Sequence, residues 1–206
     1  MKVKATRGLL LAGMLLPALA GLGGCGGGAD PLGNPPAVAD SGGAVGTVLS
    51  FAYFQSCIDP ILNAPHQITL NGTTITNVCS SSGCHALTTG RGAAFRVVPT
   101  ATPVGLSDAP ATIRAQPMYQ NFFSAQAMTV VGDPSQSLLI NKPLTRGVLH
   151  GGGLIFASAG DPNIAQMEFW ISNPMPAGQD EFGTTGSAAA VAGAAAQADP
   201  SACAPN

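Results

Sequence analysis

The feature that most constrains this chain is a pair of cysteines followed at once by a histidine, CSSSGCH at residues 79–85. Covalent haem attachment uses this order, because two thiols add to the vinyl groups of the porphyrin and the next imidazole binds the iron. The usual spacing is C-x-x-C-H, whereas four residues separate Cys79 from Cys84 here. The vinyl separation is fixed, so the extra residues must loop outwards, which small residues and a Gly83 with positive φ would permit.

Two other structures explain the same residues. In an exported protein Cys79 and Cys84 can form a disulfide, which leaves His85 as a surface residue. A structural zinc site would use both thiols and the imidazole, but it needs a fourth ligand that the sequence does not specify. The motif alone therefore leaves haem attachment, with His85 as the proximal iron ligand, and a disulfide both open.

The N-terminus predicts export. Residues 1–24 have a basic start and an apolar run that ends in LGGC, and the run is interrupted by Pro17 and too short for a convincing membrane span. This segment resembles a bacterial lipoprotein signal peptide, in which Cys25 would be acylated and become the first residue of the mature protein. An ordinary secretory signal is the alternative. Gly26 replaces the aspartate that resembles an inner-membrane retention signal, so the resemblance implies a lipid anchor in the outer membrane of a Gram-negative cell envelope.

The charge balance excludes one class of partner. Only 9% of the residues are charged, and removal of residues 1–24 leaves five basic and ten acidic residues, a net charge of −5. A mildly acidic protein lacks the basic surface that nucleic acid requires. We therefore expect no nucleic-acid partner.

Composition divides the rest of the chain into three parts. Residues 25–44 are rich in glycine and proline and predict a disordered tether. Residues 45–182 carry the periodic apolar patterns and predict the folded domain. Residues 183–206 are mostly alanine, glycine and serine, and predict a disordered, low-complexity tail.

Three elements of the domain are predicted most clearly. The apolar spacing from Val48 to Leu62 predicts an amphipathic helix that Asp59-Pro60 kinks or ends. Alternating residues around Asn71-Gly72 predict a short hairpin. The second clear helix begins at Asp161, which would cap it, with a proline in the first turn.

The order of these elements resembles a class I-like c-type cytochrome domain. A helix with PIL precedes CSSSGCH, and a helix with FWI ends the domain. More narrowly, SLLINKPLTRGVLHGGGLIF and MEFWI are similar to the SLLxKP, HGGG and WI motifs of cytochrome domains in bacterial surface and periplasmic proteins. The resemblance covers residues 47–182. It implies a mainly α, cytochrome c-like helical fold with long loops, haem c as cofactor, and electron transfer as function.

The sixth iron ligand has several candidates. Class I cytochromes usually provide a methionine from the loop before the last helix, and His150 occupies that place here, followed by three glycines. We therefore expect His150 to be the distal ligand, with Met175 in NPMPAG as the runner-up. The alternative for His150 is a hydrogen-bonded histidine in a structural turn. The other candidates are His66, which we expect at the surface, and Met118, Met128 and Met167.

Cysteine parity predicts one disulfide. If Cys25 is acylated and the motif cysteines hold haem, Cys57 and Cys203 remain, and an oxidising compartment favours their pairing. The competing scheme also joins Cys79 to Cys84 and contains no haem. Both schemes leave no free thiol, so composition does not decide between them.

Three functions follow from these alternatives. The first is electron transfer by an envelope-anchored monohaem cytochrome, since two histidine ligands would leave no iron position open. The second is a haem enzyme or sensor, although no Arg-His pair for peroxide chemistry and no hydrolytic constellation is evident. The third is a non-haem, disulfide-stabilised lipoprotein that acts as a structural or binding module. We favour an electron carrier over an enzyme, with the membrane and unspecified redox proteins as partners.

Overall fold

The computed structural model describes residues 48–185 together with Ala188 and Cys203. These residues belong to one compact unit, Asp40–Asn206. The predicted signal peptide, Cys25 and the tether lie outside the described residues, as does most of the predicted tail. Within residues 48–185, no helix has the length and apolar character needed to cross a membrane.

The domain consists of short helices, one β-hairpin and long connecting loops. The elements in chain order are α1 Phe51–Tyr53, a π-helical turn Phe54–Ile58, α2 Asp59–Asn63, β1 Pro65–Leu70, β2 Thr73–Val78, α3 Pro110–Arg114, α4 Pro117–Gln126, a 3₁₀ turn Pro134–Gln136, α5 Leu138–Asn141 and α6 Pro162–Ser172. The longest of these helices has 11 residues. The predicted mainly α class is therefore wrong, since the described part combines short helices with a two-stranded antiparallel sheet.

Helical structure begins where Ser50 caps the chain. Its side chain accepts a hydrogen bond from the Tyr53 amide at 3.1 Å, which satisfies one of the free N–H groups of the first turn. The turn Phe54–Ile58 is wider, and the Asp59 amide bonds to the Phe54 carbonyl. Pro60 follows and has no N–H to donate. The regular α-helix is thus interrupted by a π-helical turn before Asp59-Pro60, and it does not end at that pair as expected, because the helical segment continues through Pro60 to Asn63.

The hairpin was predicted from its turn. β1 and β2 pair antiparallel from Pro65↔Val78 to Leu70↔Thr73. Asn71 and Gly72 have φ values of 50° and 77°, the left-handed backbone that a two-residue hairpin turn requires. Most of the hairpin is exposed and Ile68 is its buried apolar side chain. The hairpin therefore makes few apolar contacts with the core.

The last helix packs against the first helical segment. Asp161 caps α6 by accepting a hydrogen bond from the Asn163 amide at 2.9 Å, as its sequence predicts. Trp170 is fully buried, and its indole N–H donates to the Ser50 carbonyl at 2.9 Å. The Trp170 and Phe54 rings lie 5.5 Å apart. These contacts join the first helical segment to the last helix.

The Cys57–Cys203 disulfide is present, which confirms the prediction from cysteine parity. The two Cα atoms lie 5.5 Å apart, within the range that a disulfide spans. Both residues are buried, and the Tyr53 hydroxyl donates to the Cys203 carbonyl at 2.9 Å. The bond joins the first helical segment to a residue near the end of the chain.

Candidate functional site

The loop CSSSGCH begins where β2 ends. Its backbone closes on itself, since the His85 amide donates to the Cys79 carbonyl at 2.9 Å and the Cys84 amide donates to Ser81 at 3.0 Å. Gly83 does not have the positive φ that we expected, so the loop closes without left-handed backbone at that residue. The sulfurs of Cys79 and Cys84 are not bonded to each other. The alternative scheme with a Cys79–Cys84 disulfide is not the one present.

The imidazole of His85 is fixed by two carbonyl oxygens. Its Nδ1 lies 3.1 Å from the Gly92 carbonyl and 3.1 Å from the Phe95 carbonyl. The Phe95 ring packs against it with centroids 4.7 Å apart. A Cβ at Gly92 would overlap the ring of His85. The chain thus needs glycine at this position for the histidine to lie where it does.

Burial determines how these groups ionise. It is the largest cause of the lowered pKa of His85, against which the hydrogen bonds to backbone carbonyls act. Burial also raises the pKa of the Cys79 thiol to about 11, and the neighbouring Cys84 adds to this shift. At neutral pH the site therefore presents a neutral imidazole and a protonated Cys79 thiol.

His150 faces His85 from the glycine loop that precedes α6. Its Nδ1 lies 2.8 Å from the Gly153 carbonyl. The two imidazole rings are nearly parallel, at 8°, and their centroids lie 6.2 Å apart. The structure thus brings together two histidines that are 65 positions apart in the sequence.

The tautomers of both histidines follow from these bonds. A carbonyl oxygen only accepts hydrogen bonds, so each Nδ1 must carry the proton. In the neutral ring with this tautomer, the lone pair is on Nε2, which is the form in which a histidine binds a metal. The carbonyl groups of residues 92, 95 and 153 act as the orienting partners that metal-binding histidines usually have.

The histidines and cysteines line one cleft of about 640 Å³. Its walls are mainly apolar, and Met128 and Met167 contribute thioethers to it. Of the described residues, Arg91 and Lys142 are the charged side chains on its walls other than the titratable groups of the motif. A volume of this size lies in the range of sites for small molecules and cofactors.

The other ligand candidates are placed elsewhere. Met175 is fully buried in a separate cluster with Ala52 and Ala188, and it is not among the cleft residues. Met118 is buried in the main core. The His66 ring is half-buried and not at the surface as expected, since its Nε2 lies 2.7 Å from the Ile61 carbonyl. Of the histidines, His85 and His150 share the cleft.

In comparisons with known proteins, no protein-family model, no curated protein and no solved structure matches this chain. The resemblance to cytochrome domains therefore rests on the sequence motifs. Among the described residues, no three or more histidine, cysteine or carboxylate side chains form a group that could hold a metal ion. A haem iron differs from such sites, because the porphyrin surrounds it and the protein adds the axial ligands.

Sequence reasoning identified the side chains of this site but missed the backbone that orients them. Phe95 and Gly92 follow the motif in GRGAAF, and nothing in their residue types marks their carbonyl groups as partners of His85. The available signal was the glycine itself, because glycine allows close approach of another group to the backbone. Gly153 in HGGG gives the same signal on the opposite side.

Proposed function

We propose that this protein is a monohaem c-type cytochrome that transfers electrons at the bacterial cell envelope. The observation that carries the proposal is the pair of parallel imidazoles of His85 and His150, with centroids 6.2 Å apart. With metal–nitrogen bonds of about 2 Å and ring centroids about 1 Å beyond each nitrogen, two imidazoles on one iron have centroids about 6 Å apart. The separation would suit one iron between the two rings with each Nε2 directed at it.

The cleft has the other features that haem needs. Cys79 and Cys84 are unbonded thiols on its wall, and each could add its S–H across one vinyl group of the porphyrin to form a thioether. The apolar walls suit the porphyrin face, and the loop between the cysteines contains small residues. These features support covalent attachment through residues 79 and 84, with His85 as proximal and His150 as distal ligand.

The ligand set favours electron transfer over substrate chemistry. When bound, haem supplies a one-electron redox centre. With His85 and His150 both held by their Nδ1 bonds, no iron position would be open to a substrate, and little rearrangement would accompany a change of oxidation state. We therefore assign an electron carrier and no catalytic residues.

The location follows from the N-terminal sequence. The segment that ends in LGGC supports acylation of Cys25 and a lipid anchor in the outer membrane. Residues 26–44 would tether the haem domain to that anchor. Fractionation of wild type and Cys25→Ala tests this, and membrane retention of a normally processed variant would contradict it.

The main test is expression of the full chain together with a bacterial cytochrome c maturation system. We expect haem that stays with the polypeptide on a denaturing gel, and a reduced form that does not bind carbon monoxide. His150→Ala should retain the haem and bind carbon monoxide, because it opens one iron position. His66→Ala is the matched control, since that histidine lies outside the cleft, and it should behave as wild type.

Two results would contradict the proposal. If no haem is attached in the presence of the maturation system, the remaining hypothesis is a non-haem, disulfide-stabilised lipoprotein. Free binding of carbon monoxide by the reduced wild type would show an open iron position, and the protein would then be a candidate haem sensor or enzyme.

A further inference from the structure

The β-hairpin is joined to the loop that carries His150. The Thr69 amide donates to the Leu154 carbonyl at 2.9 Å, and the Leu154 amide donates to the Thr69 carbonyl at 3.0 Å. This pair of bonds makes an antiparallel bridge between β1 and the residue after HGGG. The edge of β1 that faces away from β2 therefore forms hydrogen bonds with the loop that carries His150, which we call the distal loop.

Gly153 connects this bridge to the imidazole. Its carbonyl is the partner of His150 Nδ1 at 2.8 Å, and its amide donates to the His150 carbonyl at 2.9 Å. Its φ is +80°, and a Cβ at this residue would overlap the Thr69 carbonyl. One residue thus contacts the ring that faces the iron position and the strand that holds the loop.

The same hairpin also reaches the opposite wall of the cleft. β2 ends at Val78, directly before Cys79, and the Asn77 side chain donates to the Cys84 sulfur at 3.7 Å. The cleft wall that carries Cys79 and Cys84 and the loop that carries His150 are therefore both attached to the hairpin. Since Ile68 is its buried apolar residue, packing of the core alone does not account for its placement.

A glycine-rich loop needs such an attachment to hold a ligand in one place. Glycine has the largest backbone freedom, so ordering three consecutive glycines costs conformational entropy. The bridge at Thr69 and Leu154 restricts the loop on its C-terminal side. A free HGGG loop would hold its histidine near the iron for only part of the time.

We propose that the hairpin is a strap that positions His150 as the distal iron ligand, acting through Gly153. This inference rests on the proposed function. Thr69 and Gly153 are positioning residues: they are not among the residues that line the cleft, and they would act by fixing the imidazole of His150. The strap would determine whether the iron is six-coordinate or has an open position.

Gly153→Ala in the full, haem-loaded chain tests the proposal, with Gly160→Ala as the matched control. Gly160 lies between the glycine loop and α6, is not among the cleft residues, has an ordinary φ, and a Cβ there would make only an ordinary contact with the Ser158 hydroxyl at 3.7 Å. We expect Gly153→Ala to keep its attached haem but to gain carbon monoxide binding by the reduced form, at least tenfold above wild type. If Met128 or Met167 replaces His150, the reduction potential should instead rise, because a thioether ligand raises it. Gly160→Ala should show neither change.

A second pair of variants removes the dependence on one glycine. Thr69→Pro deletes the amide that bonds to Leu154, and Gln67→Pro places the same residue on the same strand at a position that has no bond to the distal loop. Thr69→Pro should resemble Gly153→Ala, and Gln67→Pro should resemble wild type. Added imidazole should restore the six-coordinate spectrum of Thr69→Pro, which a general loss of stability would not explain.

The outcomes separate this inference from the proposed function. If wild type carries no haem, or binds carbon monoxide freely, the proposed function fails first. If wild type is six-coordinate and both Gly153→Ala and Thr69→Pro keep its spectrum and potential, the strap proposal is wrong while the cytochrome assignment stands. A Gly153→Ala protein that does not fold leaves the decision to the Thr69→Pro and Gln67→Pro pair.

Discussion

At the scale of single residues, the site depends on glycines that lie against histidine rings. Gly92 both accepts a hydrogen bond from His85 and leaves room for its ring. We expect Gly92→Ala to displace the imidazole, because the added Cβ would overlap it. Overpacking of this kind costs about 1–3 kcal/mol, measurable by urea unfolding of the haem-free domain.

The matched control for Gly92→Ala is Gly83→Ala. Gly83 lies in the same cleft, and a Cβ there would meet no atom within 4 Å. Its unfolding midpoint in the haem-free domain should stay at the wild-type value, whereas Gly92→Ala should lower the midpoint. Equal behaviour of the two variants would show that the space beside the His85 ring does not matter.

A second residue-scale prediction concerns Glu181. Burial works to raise its pKa, but hydrogen bonds from Arg114 and Tyr119 outweigh this and hold the pKa below its ordinary value of 4.5. A depressed carboxyl pKa contributes stability that is present above pH 4.5 and is lost as the pH falls through the lower, folded-state value. Arg114 is 46% exposed, so we expect Glu181→Gln to cost only about 1 kcal/mol at pH 7.

Urea unfolding at pH 7 and near pH 3 measures this contribution. The difference between wild type and Glu181→Gln should be clear at pH 7 and should shrink at the acidic value, because the stability from a lowered carboxyl pKa is lost as the pH falls below 4.5 towards the folded-state pKa. Asp108→Asn provides the control, because Asp108 is exposed and its carboxylate makes no ion pair among the described residues. A Glu181→Gln effect that is the same at both pH values would rule out the ion pair as its cause.

What the sequence predicts at this scale is the identity of the reactive side chains. Cys84 and His85 are consecutive residues, so the sequence alone shows that they are adjacent. Their orientation is not, because His85 is held by carbonyl groups of residues 92 and 95, and a carbonyl has no residue-type signature. The pairing of His150 with His85 depends in turn on the whole fold.

At the scale of elements, short-range signals predicted individual helices and the hairpin but not the fraction of the chain that is helical. Asn71-Gly72 predicted the hairpin, and Asp161-Pro162 predicted the start of α6, because turns and caps depend on neighbouring residues. The mainly α prediction failed because 17 prolines and 27 glycines divide the chain. Helices α3 and α4, for example, each begin at a proline, and α3 has only five residues.

The cap of α6 gives an element-scale prediction. Asp161 accepts a hydrogen bond from the Asn163 amide, and loss of such a cap costs about 0.5–2 kcal/mol. Asp161→Ala should therefore lower the free energy of unfolding by this amount. Asp161→Asn keeps a capping side chain and should lose much less, so equal losses in the two variants would argue against the cap as the cause.

At the scale of the whole molecule, parity of cysteines made a correct long-range prediction. Cys57 and Cys203 are 146 positions apart, and no local pattern joins them. The prediction used the expectation of an exported protein, because an oxidising compartment disfavours unpaired thiols. The two backbone hydrogen bonds between Thr69 and Leu154 could not be predicted in this way. Backbone groups at an exposed strand edge are the same for almost every residue type, so their partners leave no signal in the sequence.

The disulfide should stabilise the domain mainly through the unfolded chain. Closing a loop of 146 residues removes much of the entropy of the unfolded state, and loss of a native disulfide typically costs about 2–5 kcal/mol. We expect Cys57→Ala/Cys203→Ala to unfold at lower urea concentration by this margin and to leave the proposed haem attachment unchanged, since neither residue lines the cleft. Reduced wild type is the control: it should show a similar loss, because it lacks the same cross-link but retains both side chains. If reduction has no effect while the double variant is destabilised, packing of the buried sulfurs would account for the loss, and the cross-link would contribute little.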